Sequence, residues 1–201
     1  MCNAGLAVTA WQRLAPLLGR SADDARAKAW GLKNAFLPGR LQVVPAATGH
    51  PAFLLDGAHN PHGMQALLRT LVTDRTPACP LPLPRAIIFS CLADKDWRTS
   101  AAMLTRRFPR TPVFIPALKN PRAGDPQEIA AVCNGQSPGK AVALTGPDAL
   151  EQALDAAAGV CGADTGMTLV TGSLYLLAEF FARHPQFLEP PLSHSAMENL
   201  P

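Results

Sequence analysis

At 201 residues, with 48% hydrophobic and 16% charged residues, the chain can bury a sizeable core and corresponds to about one domain plus a fragment. Its formal charge of +3 comes from dispersed lysines and arginines; the densest group, Arg106, Arg107 and Arg110, lacks interleaved aromatics and reads as a solvated helix end, so no nucleic-acid partner is expected. The apolar runs are too short or interrupted for a membrane span, the N-terminus lacks a signal-peptide layout, and the five cysteines form no C-x-x-C pair, so the expectation is a cytoplasmic protein with reduced thiols and no membrane partner.

In chain order, residues 1–37 read as two helices, Asn3–Leu18 and Ser21–Ala35, divided at Leu18-Gly19-Arg20. Alone they would form a helical hairpin packed by Leu6, Trp11, Leu14, Leu17 and Trp30. From residue 38 short apolar runs alternate with helical periodicities, the pattern of an α/β fold with a largely parallel, Rossmann-like sheet. Six strands are expected: Leu41–Val44, Ala52–Asp56, Ala86–Phe89, Pro112–Phe114, Ala141–Leu144 and Thr168–Val170. The first two, joined around Thr48-Gly49-His50, should pair antiparallel. Five helices follow, with start signals at Pro147-Asp148 and at Asp125-Pro126-Gln127-Glu128, which reads as a capping box. The last helix, after Ser173, should end before His184-Pro185, closing a domain of residues 38–184; residues 185–201, with Pro190, Pro191 and Pro201, are expected to fray.

The densest chemistry lies at residues 54–63, Leu-Leu-Asp-Gly-Ala-His-Asn-Pro-His-Gly. Val43, Val44, Phe53, Leu54 and Leu55 are strand-like, whereas Met64, Leu67, Leu68 and Leu71 recur at helical spacing. Between them Asn60 suits an N-cap and Pro61 a first helical turn. Asp56, His59 and Asn60 would thus stand at the carboxyl end of a strand beside free helix N–H groups, a natural anion site in an open α/β sheet. A capped, solvated turn explains the same residues without a ligand.

Other positions carry similar pairs of readings. Lys95, flanked by Asp94 and Asp96, could offer a cation at the next strand end, or form a surface turn with a local ion pair. Ser173 in Thr171-Gly172-Ser173 could meet a ligand or merely cap the last helix. Cys91 ends a strand but has no nearby histidine to activate it and reads as packing. His59 and His62 lack a third ligand at suitable spacing, so no metal site is expected. No phosphate loop of the G-x-x-x-x-G-K-[ST] kind is present: Gly139-Lys140 is followed by Ala141, with Asn134 at the first glycine position.

The 54–63 string resembles the signature of the C-terminal domain of folylpolyglutamate synthase, which in many bacteria also acts as dihydrofolate synthase. Pro38-Gly39-Arg40, Leu92-Ala93-Asp94-Lys95-Asp96-Trp97 and Val170-Thr171-Gly172-Ser173-Leu174-Tyr175-Leu176 match in the family's order, over roughly residues 38–180. Muramyl-peptide ligases are more distant relatives with a similar histidine–asparagine–proline turn. The resemblance implies a Mur ligase C-terminal fold and an ATP-dependent ligase that joins L-glutamate to a folate or dihydropteroate carboxylate through an acyl phosphate. It implies ATP and Mg²⁺ as cofactors, held by an N-terminal P-loop ATPase domain, of which residues 1–37 would be the helical end. By the same resemblance Arg40 and Asp56 would serve ATP, and His59 and Ser173 the incoming glutamate, with His59 a neutral imidazole that orients the amine or takes its proton. Lys95 would add a cation for glutamate. The loop between Arg40 and Asp56 is longer than the family's usual one. Without a phosphate loop the chain is expected to be a truncated ligase, inactive alone. A non-catalytic Rossmann-type binding module, or one half of a split ligase with an ATPase-domain partner, are the alternatives.

Overall fold

A computed structural model describes residues 3–73, 82–161 and 166–189. The chain divides into two compact units, Met1–Leu37 and Pro38–Pro201.

The first unit holds α1 (Asn3–Leu14), a 3-10 turn (Ala15–Leu18) and α2 (Ala25–Lys33). The continuous helix expected to Leu18 ends at Leu14, because Pro16 cannot donate the next helical hydrogen bond. Gly19, with φ of 67°, then closes the turn onto the carbonyls of Ala15 and Pro16. The second helix starts at Ala25 rather than Ser21, since Asp24 accepts the Ala27 N–H at 2.8 Å and makes the cap. Of the hairpin core expected from Leu6, Trp11, Leu14, Leu17 and Trp30, only Trp11 is partly buried; the other four are exposed. Two short helices enclose too little volume to bury them.

The second unit is a six-stranded sheet in the order β1-β2-β6-β3-β4-β5. Its strands are β1 (Gln42–Val44), β2 (Ala52–Asp56), β3 (Pro84–Phe89), β4 (Val113–Pro116), β5 (Ala141–Leu144) and β6 (Met167–Thr171). As expected, β1 pairs antiparallel with β2, and the other neighbours are all parallel. Helices α3 (Pro61–Thr73), α4 (Trp97–Arg107) and α5 (Pro126–Gln136) cover one face; α6 (Ala149–Cys161) and α7 (Leu174–Arg183) cover the other.

Strand alternation explains the two cores. Leu54, Ile87, Phe89 and Leu169 point to the first face and meet Met64, Leu67, Trp97, Leu104 and Ile129. Phe53, Leu55, Ile88 and Val170 point to the second and meet Leu150, Leu154, Leu177 and Phe180. Met64, Leu67, Leu68 and Leu71, the apolar stripe of α3, are all buried, each worth about 1.5–3 kcal/mol.

Two local expectations need correction. Asp125 caps α5 by accepting the Gln127 N–H at 2.7 Å, but Glu128 does not close a capping box; its carboxylate pairs with Arg98 at 3.1 Å on α4. The tail does not fray from residue 185: Pro185–Leu188 form a 3-10 turn. Phe187 stacks with His184 and Phe180, and its carbonyl accepts from the buried Gln42 side chain at 2.7 Å. The remainder of the tail, from Pro190, lies outside the described residues.

Candidate functional site

The sheet order brings distant segments together. Asp56, Thr171 and Phe89 are register partners at the carboxyl ends of the adjacent strands β2, β6 and β3. The segments leaving these strands, 57–60, 172–173 and 90–95, therefore emerge side by side at the end of the sheet where ligands bind in open α/β folds. His59, Lys95 and Ser173, far apart in sequence, line one cleft of about 190 Å³ with Leu92, Arg122, Gly172, Leu174 and Tyr175.

Each wall has a local cause. Asn60 accepts the Gly63 N–H at 2.8 Å and so caps α3, while Pro61 takes the first helical position. His59 is half-buried, with Nδ1 2.9 Å from the Gly57 carbonyl. A carbonyl only accepts, so Nδ1 carries the proton and donates, which leaves Nε2 an acceptor in the neutral ring. His62 is exposed. Ser173 is 2% exposed and caps α7 by accepting the Tyr175 N–H at 3.0 Å. Its hydroxyl hydrogen is not used in that bond and can be donated. Gly172, with φ of 107°, lies against the neighbouring strand end: a Cβ there would sit 2.4 Å from the Ser90 carbonyl oxygen and 2.6 Å from the Phe89 ring. Next to it, the fully buried hydroxyls of Ser90 and Thr171 have no hydrogen-bond partner within the described residues.

Asp94 organises the cationic wall. Arg122 donates to its Oδ2, and Lys95 Nζ lies 3.9 Å from the same oxygen. The Arg122 guanidinium holds the Asp94 carboxyl below the usual carboxylate range. Asp96 caps α4 by accepting from the Thr99 N–H at 3.2 Å.

Arg40 and Asp56 do not line this cleft. Asp56, 9% exposed, accepts the Leu41 N–H at 3.0 Å through one oxygen and the Ala58 N–H at 2.9 Å through the other. Gly57 N–H donates to the Gly39 carbonyl at 2.8 Å. The Gly39-Arg40-Leu41 loop is thus fastened to the end of β2, which holds Leu41 at a φ of 46° and keeps it out of β1, one residue later than expected. Arg40 is exposed, with its guanidinium beside Gly57: a Cβ on Gly57 would lie 2.9 Å from Nη1 and 2.4 Å from the Leu174 side chain. Leu174, which lines the cleft, also packs beside Gly57 next to Arg40.

Burial raises the Asp56 pKa above its ordinary value, against the opposing pull of the two backbone hydrogen bonds and Arg40. For an acid with a raised pKa, the unfolded chain ionises first as pH rises. In that interval, above the ordinary carboxylate range, the folded state holds the extra proton and stability falls with pH. A ¹³C-detected titration should give Asp56 a higher midpoint than Asp94; the reverse order would contradict the packing described.

Among the described residues no group of three or more His, Cys, Asp or Glu side chains could hold a metal ion. Cys91 is buried, and burial pushes its thiol up to about 12, the state of a packing residue. Sequence reasoning missed Arg122. It sits in the loop between β4 and α5, and the pairing of that loop with residues 91–93 brings it to the cleft.

The chain matches the Mur ligase, glutamate ligase domain model over residues 39–174, more than half its length. It is 34% identical over 182 residues to a Halobacterium salinarum protein named "probable bifunctional folylpolyglutamate synthase/dihydropteroate synthase", covering 88% of this chain and 19% of that protein. A Lacticaseibacillus casei folylpolyglutamate synthase is 30% identical over 146 residues, 73% of this chain and 29% of that protein. The chain therefore spans under a third of the length of these curated relatives. Among solved structures, a Yersinia pestis bifunctional folylpolyglutamate synthase/dihydrofolate synthase with Mn, AMPPNP and L-glutamate bound superposes with a TM-score of 0.60 at 26% identity, over 81% of this chain and 35% of that one. A Mycobacterium tuberculosis folylpolyglutamate synthase complexed with ADP and AMPPCP gives 0.62 at 25% identity, over 87% and 37%. No described helix is long and apolar enough to cross a membrane. With that fold, that cleft and these matches, the chain belongs to the Mur ligase family, in its glutamate ligase domain.

Proposed function

We propose that residues 38–184 are the glutamate-side part of an ATP-dependent ligase that joins L-glutamate to a folate or dihydropteroate carboxylate, working in the cytoplasm. The observation that carries this reading is the convergence of His59, Lys95 and Ser173 on one cleft at the carboxyl ends of β2, β3 and β6. In the proposed reaction a carboxylate oxygen takes the γ-phosphoryl group of ATP, ADP leaves, and the carboxylate is thereby activated as an acyl phosphate. The glutamate amine then attacks its carbonyl carbon, the C–N bond forms, the C–O bond to phosphate breaks, and inorganic phosphate leaves.

This chain's residues divide the work. His59, held through Nδ1 by the Gly57 carbonyl, offers Nε2 to the attacking amine and takes its proton. Ser173 donates its hydroxyl, and Lys95 its ammonium, to glutamate carboxylate oxygens. Arg40 gives charge complementarity to the nucleotide phosphates. Asp56 acts on ATP through Arg40, since both its oxygens are engaged in fixing the Arg40 loop. The phosphate loop and Mg²⁺ site belong to a P-loop ATPase part, to which residues 1–37 are assigned as a helical end; that part acts in the same polypeptide or as a partner.

Purified chain given ATP, Mg²⁺, dihydropteroate and glutamate should release no phosphate above background, because nothing in its sequence replaces the phosphate loop. Grafted after a family ATPase domain, it should restore glutamate-dependent phosphate release. Turnover by the chain alone would overturn the division of labour.

A further inference from the structure

We infer that Gln42 is a positioning residue for Arg40, and that it ties the nucleotide side of the site to the C-terminal turn Pro185–Leu188. This deepens the proposed ligase reading and rests on it for the role of Arg40 at the nucleotide phosphates. Arg40 is exposed, so the backbone on either side of it sets where its guanidinium can reach.

Three hydrogen bonds hold that backbone. Two run to the segment at the end of β2: the Gly57 N–H donates to the Gly39 carbonyl at 2.8 Å, and the Leu41 N–H donates to Asp56 at 3.0 Å. The third comes from the buried Gly39 N–H, which donates to Gln42 Oε1 at 2.8 Å. Leu41 keeps a φ of 46°, a left-handed conformation that a leucine holds only where its surroundings fix it. A loop strained in this way relaxes when one of its ties is lost.

Gln42 is itself only 7% exposed and reaches in the other direction to a different element. It shares a face of β1 with Val44, the face covered by α7, and its Nε2 donates to the Phe187 carbonyl at 2.7 Å. A side-chain amide serves both ends: the Gly39 N–H needs an acceptor and the Phe187 carbonyl a donor, whereas a carboxylate lacks the donor and an ammonium the acceptor. Phe187 is seated in turn by rings. It stacks on Phe180 at 6.2 Å and on His184 at 5.7 Å, and meets the His50 ring edge-on at 5.5 Å. Undocking of this turn would strip a buried amide donor of its partner, and an amide that turns to find another takes its oxygen away from Gly39. The seating of Phe187, 145 residues beyond Gln42 in the chain, is in this way coupled to the placement of Arg40.

Nuclear magnetic resonance on the full chain tests this in the wild type, Gln42→Met, Phe187→Ala and the double variant. Amide exchange is read at Gly39, and Mg-ATP and L-glutamate are titrated separately, followed at the Arg40 and His59 side chains. Both single variants should exchange the Gly39 amide at least about tenfold faster. They should bind ATP about three- to tenfold more weakly, the loss of one hydrogen bond, with the glutamate dissociation constant unchanged. The double variant should match Gln42→Met within about twofold, since both changes break one link. Should Phe187→Ala fail to fold, Gln42→Glu reads the same link, because it keeps an acceptor for Gly39 and has no donor for Phe187; it too should weaken ATP alone. Wild-type exchange and ATP affinity in Phe187→Ala, or in Gln42→Glu where that variant stands in, overturn the coupling and leave the ligase reading in place. An equal loss for ATP and glutamate in Gln42→Met, the mark of a merely structural residue, does the same. A wild type in which Mg-ATP moves no Arg40 resonance overturns the role of Arg40 in the ligase reading and this inference with it.

Discussion

Gly172→Ala is expected to destabilise the protein by about 2–6 kcal/mol, the sum of a backbone-strain cost and an overpacking cost of about 1–3 kcal/mol each. The strain comes from a φ of 107°, which L side chains rarely adopt. The overpacking is against the end of the neighbouring strand: the new methyl would fall 2.4 Å from the Ser90 carbonyl oxygen, just past β3, and 2.6 Å from the Phe89 ring. Neither neighbour can swing away, since both are fully buried at the end of β3. Gly135→Ala is the matched control. Gly135 lies within α5 with nothing near its Cβ position, and alanine there should stabilise by about 0.5–1 kcal/mol. Urea unfolding midpoints with unchanged m-values measure both; a loss below about 1 kcal/mol for Gly172→Ala would contradict the close approach of β6 and β3.

The second large effect is on the chemistry. In the grafted ligase His59→Ala should lower kcat by about 10²–10⁴, the range of a lost general base. The ring is placed for that role by two features: the Gly57 carbonyl fixes its Nδ1 hydrogen bond, and the Asn60 cap and Pro61 start α3 immediately after it. Arg40→Ala, outside the cleft, should instead raise the KM for ATP and leave the glutamate KM unchanged. Saturation kinetics for each substrate separate the two. Loss of ATP affinity without a fall in kcat in His59→Ala would remove His59 from the amide-forming step.

The local grammar of the site is legible in the sequence. The change from strand to helical spacing across residues 54–71 marks the junction, and Asn60-Pro61 marks its helix start; both are local properties of side-chain size, capping and φ restriction. Helix ends are less legible where two signals compete. Pro16 ends α1 early, and Glu128 is drawn to Arg98 on the preceding helix, α4, instead of back to its own N-terminus.

What periodicity cannot give is strand order. The insertion of β6 between β2 and β3 is a long-range outcome of packing, and it alone sets Ser173 beside His59 and Lys95. Motif resemblance pointed to those three residues without that geometry. Arg122 is likewise brought to the cleft by a long-range contact, the hydrogen bond from the Ala93 N–H to the Arg122 carbonyl. Asp56 shows a different gap. Its position at the strand end suggested ligand contact, whereas its burial and its two backbone N–H partners make it the fastener of the Arg40 loop.

A crystal structure of the chain grown with L-glutamate tests the central claim most directly. The account predicts one glutamate in the cleft between β2, β6 and β3, with its amine within hydrogen-bond reach of His59 Nε2 and carboxylate oxygens on Ser173 and Lys95. Glutamate bound elsewhere with this cleft unliganded, or seated with its amine turned away from His59, would contradict it.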